Sequence, residues 1–217
     1  MGAGATAISL STPAIILAST RVAVEFWSLH DGSGSMYSYS TDMNPRQGFN
    51  SDKTLLHYEI QRDGHIAAFL DENVQAALMA QPTLVHVAMW GGSNSFLKLT
   101  PEQGVLVRSE KDAAAIADFI RTRTPTGPLI DSQTHHFAAI SRVLEHPRAD
   151  PYSELILDIS TDAGLTGGTF EKMAAAREGI SAIGGKINVF AVDMAGKEVE
   201  LNSLRKYVST GFLKEGT

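Results

Sequence analysis

The chain has 217 residues, 43% hydrophobic and 19% charged, with no cysteine and a formal net charge of −6. That composition fits one well-packed globular domain and not a disordered chain. The negative charge argues against a nucleic-acid partner or an anionic membrane surface, and the lack of cysteine excludes disulfides, thiolate catalysis and cysteine-ligated metals.

Residues 1–20 are uncharged and rich in Ala, Gly, Ser and Thr, with a short apolar patch at Ala14–Ala18. No Lys or Arg precedes Arg21, so the ordinary secretory signal pattern is missing, and the patch is too short for a membrane span. We read 1–20 as an N-terminal extension, with an atypical export signal as the alternative; periplasmic or secreted location stays open. Residues 21–217 are read as one folded domain with a loop inserted at about 36–50.

Val22–Leu29 reads as the first strand and runs into Asp31-Gly32-Ser33-Gly34-Ser35. Met36–Asn50 follows without periodicity, longer than most loops in compact domains. Leu56, Ile60, Gly64 and Ala67 recur on one helical face, where Gly64 would let the helix approach a sheet closely. Thr83–Trp90 reads as a second strand, with Ser95–Leu99 as its hairpin neighbour. Ala113, Ile116, Ala117 and Ile120 form a helical stripe, Phe137, Ile140 and Leu144 another, and Phe170, Met173, Ala176, Ile180 and Ile183 a fourth. Leu155–Ile159 and Ile187–Val192 are β-branched-rich runs, and Gly184-Gly185 closes the helix between them. This alternation predicts an α/β fold: a doubly wound, mostly parallel central sheet with helices on both faces and one antiparallel edge strand.

In such folds ligands sit outside the carboxyl ends of the parallel strands. Two predicted strands end there in oxygen-bearing loops, Asp31–Ser35 and Ser160-Thr161-Asp162-Ala163-Gly164. Asp31, Ser33 and Ser35 at i, i+2 and i+4 can turn one carboxylate and two hydroxyls toward one point, with Gly32 and Gly34 allowing a tight bend. Carboxylate plus hydroxyl is the ligand set of a hard cation such as Mg²⁺. Competing chemistries are weaker. His30-Asp31 and His135-His136 lack zinc spacing, and neither a Gly-x-x-x-x-Gly-Lys loop nor a Gly-x-Ser-x-Gly elbow occurs. An aspartyl-phosphate enzyme needs a second carboxylate where Ser33 stands.

The blocks DGSGSM (Asp31–Met36), EIQRDGHIAAFLD (Glu59–Asp71), VAMWGG (Val87–Gly92), ILDISTDAG (Ile156–Gly164) and AAAREGISAIGGKINVFAV (Ala174–Val192) occur in one order. From about Arg21 onward they resemble the von Willebrand factor type A domain and its metal-ion-dependent adhesion site, within a bacterial branch of uncharacterised A-type domains. The resemblance implies Ser33 and Ser35 as direct hydroxyl ligands of Mg²⁺, or of Mn²⁺ or Ca²⁺. It implies Asp31 and Asp162 acting through water or behind the ligands, and an acidic residue of a protein partner completing the coordination.

The chain also departs from that pattern. The family's threonine ligand falls in Gly127-Pro128-Leu129-Ile130-Asp131-Ser132, where Pro128 has no side-chain oxygen, and Thr126 or Ser132 are the candidate replacements. Glu25, Ser28 and His30 interrupt a strand expected to be apolar, and Thr161 and Ala163 stand where glycines are usual. The resulting expectation is a cation-dependent protein-binding domain with no catalytic residues, its site rimmed by Tyr37, Tyr39 and Phe49. A metal-free interaction module of the same fold is the first alternative, and a metal-dependent phosphate-ester hydrolase the second.

Overall fold

The computed structural model describes residues 21–37, 56–129, 133–164, 170–192 and 197–210. The N-terminal extension and most of the inserted loop, with Tyr39 and Phe49, lie outside the described residues, as does Ser132. The strands are β1 (Val24–Asp31), β2 (Thr83–Trp90), β3 (Phe96–Lys98), β4 (Val105–Leu106), β5 (Glu154–Thr161) and β6 (Lys186–Ala191). They form one sheet in the order β3-β2-β1-β5-β6, with β4 also on β2. β2, β1, β5 and β6 run parallel, while β3 and β4 both pair antiparallel with β2.

The helices are α1 (His57–Leu70), α2 (Glu72–Met79), α3 (Glu110–Arg123), α4 (His136–Glu145), α5 (Phe170–Ala182) and α6 (Glu198–Tyr207). One face of the sheet packs Val85, Val87 and Met89 of β2 against Ile116 and Ile120 of α3 and Phe69 of α1. The other packs Trp27, Leu29, Leu157 and Ile159 against α4, α5 and α6. All eight residues of β2 are buried, as expected for a strand covered on both faces. Among the described residues no helix is long and apolar enough to cross a membrane.

The helical stripes hold to different degrees. On α3 all four predicted residues are fully buried, and Ser109 caps the helix by accepting from the Asp112 N–H. On α4 the buried set is His136, Ala139, Ile140 and Val143, one position round from the expected face, and Leu144 is 37% exposed. On α5 the middle of the stripe is buried, while Phe170 and Ile183 at its ends are exposed. Gly184, with φ of 72°, closes α5 in the left-handed region.

The α1 stripe does not hold. His57, Tyr58, Gln61 and Phe69 are the buried residues, whereas Gly64 and Ala67 are exposed. Polar contacts set this rotation: Gln61 Nε2 donates to the Ser160 carbonyl at 2.9 Å, and His57 reaches Asp162. Close packing does not explain Gly64 either, since a Cβ there would meet nothing within 4 Å.

The polar residues of β1 are buried and partnered. Glu25 accepts from Arg148 Nε at 2.9 Å and from Trp27 Nε1 at 3.2 Å. The His86 ring on β2 stacks on Trp27, with centroids 4.2 Å apart. Burial, reinforced by His146 and Lys98, lowers the His86 pKa to about 3. A histidine with a depressed folded pKa takes up its proton preferentially on unfolding. His86 therefore destabilises the fold progressively as pH falls below about 6.5, by up to about 1.4 kcal/mol per pH unit. We expect His86→Phe, which keeps the stacked ring, to flatten the fall in melting temperature between pH 6.5 and 4.5, measured by thermal melts across that range.

Candidate metal centre

Parallel pairing brings the two predicted loops together. β1 and β5 are in register from Val24↔Glu154 to His30↔Ser160, so Asp31 and Thr161 emerge side by side at the carboxyl end of the sheet. Gly32 N–H then donates to the Trp90 carbonyl of β2 at 2.7 Å, and Gly34–Tyr37 forms a short 3₁₀ turn. Neither Gly32 nor Gly34 adopts a positive φ. Gly32 answers instead to crowding: a Cβ there would lie 3.0 Å from Leu129 Cδ1 and 3.2 Å from Met89 Cε.

Asp31, Ser33, Ser35 and Asp162 meet at this point. Asp31 is fully buried; its Oδ1 accepts from the Ser33 N–H at 2.8 Å and its Oδ2 from the Thr161 hydroxyl at 2.5 Å. Ser33 Oγ and Ser35 Oγ are 3.1 Å apart, and the Ser35 hydroxyl donates to Asp162 Oδ1 at 2.7 Å. Asp162 Oδ2 lies 2.7 Å from His57 Nδ1. Ser33 and Asp162 are buried, whereas Ser35 is exposed and opens the cluster to solvent.

Burial raises the Asp31 pKa to about 7, outweighing the hydrogen bonds from Thr161 and Ser33; the neighbouring Asp162 charge adds to the rise. Near neutral pH, Asp31 on its own is therefore about half protonated, and a bound cation would favour its ionised form. His136, buried behind the site against Trp90, is pushed down to about 3 by burial and supplies no compensating charge.

Two residues absent from the predicted set shape this cluster. Thr161, a departure from the family pattern, orients Asp31. His57 holds Asp162 from 105 positions away, and no motif spacing points to it. Tyr37 stacks on Tyr58 with centroids 4.6 Å apart and donates to the Pro125 carbonyl at 3.1 Å. It braces the loop after α3 against the site.

That loop arrives through its backbone and an apolar side chain. Leu129 N–H donates to the Gly32 carbonyl at 3.1 Å, and its side chain covers Gly32. Thr126 and Pro128 are exposed.

The donor set fits a small divalent cation. Oxygen ligands at about 2.0–2.1 Å from Mg²⁺ in an octahedron stand about 3 Å from their neighbours, close to the observed 3.1 Å and 2.7 Å. Both carboxylates are already oriented by protein donors, which leaves hydroxyl lone pairs to face an ion. Among the described residues there is no group of three or more His, Cys, Asp or Glu placed to hold a metal, so an ion here depends on the serines.

Solved structures share the fold at low identity. The PilB minor pilin from Streptococcus sanguinis is 12% identical with a TM-score of 0.58, over 88% of this chain and 57% of that one. An aerotolerance-related membrane protein from Bacteroides fragilis, with multiple mutations to serines, is 18% identical with a TM-score of 0.50, over 78% and 67%. Proximal thread matrix protein 1 from the mussel byssus, with a zinc-occupied MIDAS motif, is 12% identical with a TM-score of 0.50, over 86% and 41%. This chain thus spans about two-fifths to two-thirds of their lengths. No curated protein matches it. The structural likenesses show a shared fold, the doubly wound α/β sheet that the von Willebrand factor type A resemblance implies, and by a match over residues 54–214, which begins after the Asp31–Ser35 loop, the chain belongs to the family described as "Protein of unknown function (DUF1194)".

Proposed function

We propose that the domain binds a protein partner through a divalent cation, Mg²⁺ or a similar hard ion, held at Asp31, Ser33, Ser35 and Asp162. The observation that carries this reading is the run of oxygens from Ser33 Oγ through Ser35 Oγ to Asp162 Oδ1, at 3.1 and 2.7 Å. Ser33 and Ser35 supply neutral direct ligands, while Asp31 and Asp162 orient them and balance the charge. A cation so held supplies Lewis acidity and an open position for an acidic side chain of the partner. Tyr37 stands beside the site as part of its rim; Tyr39 and Phe49 complete the rim in this reading. Both oxygens of Asp31 and both of Asp162 are already engaged by protein groups, which favours binding over hydrolysis.

A metal-free interaction module of the same fold is the second reading. Two observations favour it: His57 already engages Asp162, and Leu129 covers Gly32 where an oxygen ligand would be useful.

Thermal melts with Mg²⁺, Mn²⁺, Ca²⁺ or EDTA separate the two. An ion at a hundredfold excess over its Kd stabilises the native state by about 2.7 kcal/mol, a rise of roughly 5–10 °C for a domain of this size. Ser33→Ala with Ser35→Ala should abolish that rise and leave the melt in EDTA within about 1 kcal/mol of wild type. No rise with any of the three ions would transfer the assignment to the metal-free module.

His57→Ala tests the competition for Asp162. In EDTA it should lower stability by about 1–3 kcal/mol, because a buried carboxylate oxygen loses its partner. With Mg²⁺ the stabilisation should exceed that of wild type, since Asp162 no longer has to share its charge with the imidazole. Equal Mg²⁺ affinities in calorimetry would show that His57 and the ion do not compete.

A further inference from the structure

We propose that the cleft between α1–α2 and the adjoining face of β1, β5 and β6 binds a small amphiphile, an apolar body ending in an amine or hydroxyl head. The cleft has a volume of about 600 Å³, within the range of ligand sites. Phe26, Phe69, Leu78 and Phe190 form its apolar walls, and Phe190 is 54% exposed at the rim.

Its openness depends on small residues. Gly64, Ala68 and Ala77 line it, at helical positions where larger side chains would fill the space. A glycine inside a helix is destabilising relative to alanine. At Gly64 neither a positive φ nor a close neighbour accounts for it. Ile60 and Gly64 of α1 face the cleft, Ile60 half-buried and Gly64 exposed.

The polar end defines the head group. Ser28, Gln61, His65, Asp158 and Ser160 are the polar residues of the lining, Ser28 and Asp158 being register partners on β1 and β5. His65 bridges Ser28 Oγ at 3.4 Å and Ser160 Oγ at 3.1 Å, and burial holds it neutral, with a pKa of about 4. Asp158 accepts from Asn188 Nδ2 at 2.7 Å. Among the described residues, no Lys or Arg lines the cleft. An anionic head would meet Asp158 without a counter-charge, whereas an amine or hydroxyl can donate to it.

The test uses the full chain in EDTA, which makes it independent of the metal reading, with decylamine, decan-1-ol and decanoate as probes below their aggregation limits. Calorimetry should detect decylamine and decanol, with decanoate at least tenfold weaker, and Asp158→Asn should narrow the gap between decylamine and decanoate. Gly64→Leu should weaken decylamine and decanol at least tenfold while melting at or above the wild-type temperature, with Gly64→Ala as the control for helix propensity. Ala77→Leu repeats the filling from α2 should Gly64→Leu fail to fold. No binding of decylamine and decanol to wild type, decanoate binding equal to decylamine, or undiminished binding in the folded filled variants would overturn the proposal. The chain runs beside β6 at Thr210, whose N–H donates to the Ile187 carbonyl. Binding that appears only after removal of residues 211–217 would assign the cleft to the chain's own C-terminal segment, and would equally overturn it.

Discussion

The central position of β1, hydrogen-bonded in parallel to β2 on one side and β5 on the other, is the constraint on which the rest depends. Side chains alternate across a strand, so a slip of one residue would turn every one of them to the opposite face. Here the apolar residues Trp27 and Leu29 hold one face against α4, α5 and α6. The matched register then delivers Asp31 beside Thr161, and their hydrogen bond joins the tips of two strands whose sequences are 130 residues apart. Without that alignment the carboxylate and the two serines would share a loop but not a site with Asp162.

The same strand carries polar side chains into the interior, where an unpaired donor or acceptor is costly. Glu25 is balanced by Arg148 at the amino end of the sheet. Ser28 bonds His30 and His65, whose rings stack with centroids 3.9 Å apart. Burial and mutual repulsion hold His30 well below its ordinary pKa, so this inner network is neutral. The two carboxyl groups, Asp31 and Asp162, stand instead at the loop above it.

β5 divides its alternating side chains between two environments. Leu155, Leu157 and Ile159 enter the core under α4 and α5, while Asp158 and Ser160 face the cleft under α1. Thr161 and Asp162, the next residues, build the oxygen cluster. Cleft and cluster are thus neighbours on one strand, separated by the Gln61 and His65 contacts to Ser160. The α1 helix serves both, offering His57 to one and Gly64 to the other.

Local pattern alone was enough for most of the sheet and for the Asp31–Ser35 part of the candidate cluster. An apolar run marked β2, which is buried on both faces; β-branched runs marked β5 and β6, although β6 lies at the sheet edge with alternate residues exposed. The α3 stripe was legible because its four apolar residues all pack into the core, and Asp31-x-Ser33-x-Ser35 was legible as a cluster because its three side chains lie within five residues. The two-residue strand β4 and the short helix α2 were missed, being too brief to show a period, and α6 was missed as well, with Leu204 as its one buried residue among those described. The face of α1 was misassigned, since polar contacts to Ser160 and Asp162, about a hundred positions away, outweigh the apolar stripe. His57 on Asp162, Thr161 on Asp31 and Leu129 over Gly32 became visible only in three dimensions. Each is a contact between distant segments, and composition and periodicity record only what a residue shares with its sequence neighbours.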